Sequence, residues 1–266
     1  MRRHFWGLLG ALVLTTCVSA CGGSGSSTIS TTIGPPANSP PLPPGSVVWK
    51  AGDSQLGMWI DAESHQCGTP SNDGTTFTFS LQRDGQNCAR NQANPTTSTG
   101  SLVYLSDGAT YVWTFGYVDG KPNGQGPGMG VDSDARSLIW QIHGTDETDT
   151  PCTSLNFVNG PLDLAGAQSW GLLTCAGLAW TGSYTPGESD QFRIVARISQ
   201  TSSGFTQLYR NGALVASVNG ANYRNSAGPP WWNFGPYKYR WELPDGGGSN
   251  LYEVNATITE MLLTQQ

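Results

Sequence analysis

The chain has 266 residues, of which only 12% are charged, with 35 Gly, 17 Pro and 10 Trp and a formal net charge of −6. So few charges among so many turn-forming and aromatic residues exclude a helical bundle or coiled coil. Thirteen Lys+Arg against 19 Asp+Glu argue against nucleic acid as a partner, because phosphate binding calls for a basic face.

The N-terminus reads as an export signal. Arg2 and Arg3 precede an apolar stretch from residue 5 to 14, too short to span a bilayer, and small residues then lead to Cys21. Val18-Ser19-Ala20-Cys21 resembles the lipobox of bacterial lipoproteins, which implies cleavage after residue 20 and acylation of Cys21. Residues 21–45 are Gly/Ser/Thr-rich and then Pro-rich, a composition unable to bury a core, and are expected to form a tether. The expected organisation is therefore a signal peptide (1–20), a lipid-anchored linker (21–45) and one domain (46–266), exported and held outside a bacterial membrane.

Processing at residue 20 removes two bases and no acid, leaving 11 bases and 19 acids, a formal −8. Four cysteines then remain besides the lipidated one: Cys67, Cys88, Cys152 and Cys175. An even number in an exported chain predicts two disulfides. Of three possible connectivities, Cys67–Cys88 with Cys152–Cys175 is favoured because each closes a short loop, worth about 3 kcal/mol in the chain-entropy model. With no CxxC pair and only His65 and His143 left after processing, no metal site and no cofactor are expected.

Short period-two or apolar runs recur through the domain at 76–81, 101–104, 110–117, 137–143, 154–158, 169–173, 191–198, 205–209, 213–218 and 256–263. About ten strands without crossover helices predict antiparallel sheets stacked as a sandwich. Asn211-Gly212 between two strand-forming runs predicts a tight hairpin.

Two segments carry candidate chemistry. In Ser137-Leu138-Ile139-Trp140-Gln141-Ile142-His143, alternation places Gln141 and His143 on one face with Ile139, and Leu138, Trp140 and Ile142 on the other. An amide and an imidazole about 7 Å apart lie within reach of one sugar. Arg136 immediately precedes the strand. The second segment, residues 229–241, interleaves Trp231, Trp232, Phe234, Tyr237, Tyr239 and Trp241 with Lys238 and Arg240, a composition suited to stacking on sugars and holding an anion.

Together these segments resemble the alginate-lyase-like and heparin-lyase-I-like polysaccharide lyases. Gln141-Ile142-His143 matches their Q-[IV]-H signature, and Trp232-Asn233-Phe234-Gly235-Pro236-Tyr237-Lys238-Tyr239 is similar to their F-K-x-G-x-Y-x-x segment. The hairpin at 208–215 resembles their strand-Asn-Gly-strand, so the resemblance runs in order through most of 46–266. It implies an all-β, concanavalin A-like β-jelly-roll of two antiparallel sheets. It also implies His143, Tyr237, Gln141 and Arg90 as catalytic residues, while the composition of the two segments makes Arg136, Trp232, Lys238, Tyr239 and Arg240 the substrate-binding candidates. The family's R-x-E-[LNS]-R strand has a partial counterpart in Cys88-Ala89-Arg90-Asn91-Gln92: Arg90 is present, the Glu and second Arg are not, and Asn233 stands where the family has Lys.

Such lyases cleave uronate chains by β-elimination, which requires neutralising the C6 carboxylate, removing the C5 proton and protonating O4. Gln141 and Arg90 suit the first task. His143 or Tyr237 suits the second and Tyr237 the third, with Lys238 and Arg240 as expected cations beside the phenol. The expected partner is a uronate-containing polysaccharide, bound by a monomer, with a membrane contact only through lipid. Two other readings stay open: a lectin-like binding module, and a glycoside hydrolase, although Asp146-Glu147-Thr148-Asp149 lacks the E-x-D-x-x-E alternation of laminarinase-like enzymes.

Overall fold

In the computed structural model, the residues described are 45–53, 58–60, 70–82, 90–121, 126–129, 137–144, 151–159, 168–185, 187–224, 228–238 and 253–266. The signal and tether expected at 1–45, Cys21, Cys67, Cys88, Arg136, Tyr239 and Arg240 lie outside them, except Gly45. The described part is a β-jelly-roll sandwich of two antiparallel sheets. One sheet runs β13 (Ala213–Asn219), β12 (Phe205–Arg210), β11 (Ser189–Arg197), β6 (Thr110–Asp119), β15 (Glu253–Gln265), β4 (Thr76–Gln82) and β3 (Ser71–Asp73), with β1 (Ser46–Lys50) also pairing with β15. The other runs β10 (Gly177–Ser183), β9 (Gln168–Thr174), β8 (Thr153–Asn159), β7 (Ser137–His143), β14 (Trp231–Lys238), β5 (Ala93–Pro95) and β2 (Met58–Ile60).

Aromatic rings contributed by both sheets fill the space between them. Trp113 of β6 meets Trp140 of β7 edge-on at 5.1 Å, and Phe77 of β4 meets Phe234 of β14 at 5.2 Å. Tyr117 of β6 meets Trp170 of β9 at 5.1 Å. Edge-to-face contacts of this kind add to the area that each ring buries, which is why the aromatic-rich strands stack rather than remain separate.

Asn211 (φ 50°) and Gly212 (φ 82°) form the expected turn between β12 and β13, both left-handed as a two-residue hairpin requires. The Asn211 side chain ties the turn to β11, its Oδ1 accepting from Gln191 N at 2.8 Å. The expected Cys152–Cys175 disulfide is present, joining the segment entering β8 to the turn between β9 and β10.

One expectation of simple alternation fails in β7. Trp140 pairs with Leu155 and Leu138 with Asn156, so β8 offers no residue opposite Ile139. This bulge rotates Ile139 into the core, where it is fully buried with Trp140, and turns Leu138 to the other face.

Candidate functional site

The face of the second sheet turned away from the core carries the candidate residues in three rows. Side chains on this face follow from the core positions beside them: Trp140, Ile142, Leu155, Phe157, Trp232, Phe234 and Ala93 all belong to the core cluster. The residues alternating with them point the other way.

The first row joins His143 to Trp231, paired in register across β7 and β14. Their rings stack at 4.8 Å with 17° between planes. Next to Trp231, on the segment leading out of β5, is Tyr104, joined to it by an isolated antiparallel bridge. His143 Nδ1 lies 2.9 Å from Gly144 O. A carbonyl only accepts, so in this contact Nδ1 is the donor, and Nε2 is the ring nitrogen left for another partner.

The second row is made of amides and hydroxyls. Gln141 pairs with Asn233 on one side and Ser154 on the other. Asn94 lies one step beyond the Ala93–Phe234 pair, beside Asn233. Gln92 Nε2 donates to Asn233 Oδ1 at 3.4 Å. Gln141 is 3% exposed and Asn94 0%, yet Gln141 Oε1 and both polar atoms of Asn94 have no protein partner. Buried amides normally find partners, so this floor holds hydrogen-bonding capacity that the fold itself does not use. For Asn94 the conclusion is independent of which way the amide is turned, because donor and acceptor are both open.

The third row contains Leu138, Tyr237 and Arg90. Tyr237 pairs with Leu138 on β7, and Arg90 pairs with Tyr237 across an isolated bridge. The Arg90 guanidinium carbon lies 4.6 Å from the centroid of the Tyr237 ring, a cation–π contact. Gly235 makes the approach possible. It has φ 112°, and a Cβ there would sit 2.6 Å from Asn91 O and 2.7 Å from Phe79 Cε1. Only glycine permits the kink between Phe234 and Tyr237 that brings Tyr237 opposite Leu138.

On β8 the second and third rows are two residues apart, Ser154 and Asn156. His143 and Gln141 are also two apart, so Tyr237 is roughly 7 Å along the sheet from Gln141 and roughly 13 Å from His143. All four expected catalytic residues thus share one face of one sheet, with Gln141 between the Arg90–Tyr237 pair and His143.

Two of the expected binding residues lie elsewhere. Trp232 is 1% exposed and packs edge-on between Trp49 at 5.8 Å and Trp113 at 6.1 Å, inside the sandwich. Lys238 is fully buried and donates from Nζ to Ser137 Oγ at 3.2 Å. Both occupy inward positions of β14, the same parity as Phe234. The cation beside the Tyr237 ring is Arg90 rather than Lys238. Tyr104 is a residue that the sequence did not point to, and Trp231 stood there only as one of six aromatics in its segment. The signal for Trp231 was its parity with Asn233 and Tyr237 in the same segment.

No protein-family model matches the chain, and no curated protein matches it by sequence. Some solved structures are similar to it. A double mutant of alginate lyase Aly36B in complex with alginate trisaccharide superposes with a TM-score of 0.50 at 14% identity, over 79% of this chain and 88% of that one. The PL7 alginate lyase AlyA1 of Zobellia galactanivorans gives 0.48 at 15%, over 77% and 83%. An endo-β-1,4-glucuronan lyase of the fungus Trichoderma reesei gives 0.48 at 9%, over 83% and 93%.

Proposed function

We propose that this chain cleaves a uronate-containing polysaccharide by β-elimination. The observation that carries the reading is Arg90 stacked on Tyr237 on the same face as Gln141, because it assembles charge neutralisation and proton transfer within one sugar's reach. The fold shared with an alginate lyase in complex with a trisaccharide is consistent with it.

In this reading a uronate lies over the second and third rows. Arg90 and Gln141 hydrogen-bond its C6 carboxylate, so that negative charge developing toward it in the transition state is stabilised by donors already in place. The guanidinium over the Tyr237 ring also favours the phenolate. The phenolate oxygen takes the C5 proton, and the released electron pair forms the C4–C5 double bond as the C4–O4 bond breaks. The same oxygen then returns its proton to O4. His143, one row beyond Gln141, accepts a hydroxyl of the neighbouring sugar through Nε2.

On the same reading Cys21 carries lipid, and residues 21–45 hold the domain off the outer surface of a bacterial membrane. A panel of alginate, glucuronan, hyaluronan and heparin-type glycans incubated with the full chain tests the activity. Elimination gives an unsaturated uronate that absorbs in the ultraviolet. A lectin-like module would retain a glycan from the panel without producing that absorbance in any sample.

A further inference from the structure

The first row extends beyond the residues that the elimination needs. Val103 and Leu105 turn into the core at 6% and 0% exposure, which directs Tyr104 to the opposite face, where it is 46% exposed. Leu105 N donates to Pro230 O at 2.7 Å, and Tyr104 bridges Trp231, so this short segment is fixed against the start of β14. Trp231 presents one ring face to His143, and Tyr104 stands on its other flank. Strand pairing thus sets Tyr104 beside the stacked Trp231–His143 pair, at the end of the sheet face remote from Arg90.

The geometry points to Tyr104 and Trp231 as a sugar-stacking subsite that takes an uncharged pyranose of the same chain whose uronate lies over Gln141. This assignment rests on the lyase reading for the position of the uronate, and on the aromatic row for the neighbouring sugar. Aromatic rings offer the C–H face of a pyranose an apolar surface without desolvating a charge. A second uronate there would lie roughly 13 Å from Arg90, too far for a contact with it. The substrate class that fits both ends is a heteroglycan in which uronate alternates with an uncharged sugar, in preference to a homopolymer of uronate.

Affinity electrophoresis of the full chain, in gels containing either hyaluronan, which alternates uronate with N-acetylhexosamine, or alginate, reads binding without requiring turnover. The expected result is stronger retardation by hyaluronan. Tyr104→Ala should weaken hyaluronan binding about five-fold, with a markedly smaller effect on alginate. Tyr104→Leu, which keeps apolar bulk at an exposed position but lacks the ring, should behave like Tyr104→Ala, and both should melt with the wild type. Equal binding by wild type and both variants, preference of the wild type for alginate, or no retardation by either glycan would each overturn the subsite. Tyr104-dependent binding without unsaturated product removes the lyase reading and leaves the subsite standing. Product formed equally by wild type and Tyr104→Ala does the reverse.

Discussion

Arg90 and Tyr237 are paired across adjacent strands with the guanidinium 4.6 Å from the phenol ring centroid. If Tyr237 moves the proton, Tyr237→Phe should lower kcat by about 10³-fold, in the range expected for loss of a general acid–base group. Arg90→Ala should lower kcat comparably, whereas Arg90→Lys should recover part of it, because a point charge neutralises a carboxylate but does not stack as well. His143→Ala should act mainly on KM. Steady-state kinetics on whichever panel glycan is cleaved checks all four, and a Tyr237→Phe chain with wild-type kcat would remove Tyr237 from the chemistry.

Trp140 is fully buried against Trp113, and its indole nitrogen has no hydrogen-bond partner. Trp140→Ala should therefore cost about 3–5 kcal/mol through the cavity it leaves. Trp140→Phe should cost less than about 1.5 kcal/mol, since no hydrogen bond is lost and most of the volume is kept. Urea unfolding measures both, and a Phe variant as unstable as the Ala variant would show that indole shape, rather than ring burial, governs this position.

Arg210 of β12 organises a charged cluster on the first sheet that reaches the second through Trp170. Its Nε and Nη2 grip Asp190 at 2.7 and 2.8 Å, Nη2 also reaches Glu188 at 2.9 Å, and Glu188 accepts from Trp170 Nε1 at 2.7 Å. Asp190 takes the two-point contact, and burial pushes the Glu188 carboxyl above its ordinary 4.5, with the charge of Asp190 adding to the effect. A carboxyl raised in the fold contributes stability below its unfolded value and loses it as pH rises through the folded value. Glu188→Gln should therefore gain in melting temperature over the wild type as pH goes from about 4 to 7. Arg210→Ala, which leaves Asp190 at 2% exposure with only the Asn211 amide as a side-chain partner, should cost about 3–5 kcal/mol at pH 7. Melting curves across this range decide the sign.

The Cys152–Cys175 bond closes a separation of 23 residues and anchors the turn after β9 to the start of β8. Peptide mapping without reduction should recover this pair, and the double Cys→Ser variant should lose about 3 kcal/mol. The same map tests the expected Cys67–Cys88 link.

Cys21→Ser should prevent lipid attachment and move the protein from the membrane to the soluble fraction or leave it unprocessed. Cleaved Cys21→Ser protein that still sediments with membranes would remove the lipid-anchor reading.

Local pattern in the sequence was enough for the class of fold, the Asn211-Gly212 hairpin, the Cys152–Cys175 pair, and the placement of Gln141 and His143 on one strand face, because each depends on residues near one another in the chain. In β14, alternation puts Trp231, Asn233 and Tyr237 on one face and Trp232, Phe234 and Lys238 on the other. Which of those two sets met the other sheet was decided only by the stacking of β14 over Trp49, Trp113 and Phe77. That packing turned Trp232 from a sugar-binding candidate into core and sealed Lys238 against Ser137. Bulges exchanged the faces of Leu138 and Ile139, since one extra residue reverses the period of two. Arg90 reached Tyr237, and Tyr104 reached Trp231, by strand pairing between segments more than 100 residues apart. Such pairing is selected by the whole core, because no local pattern encodes which distant edge a short strand will find.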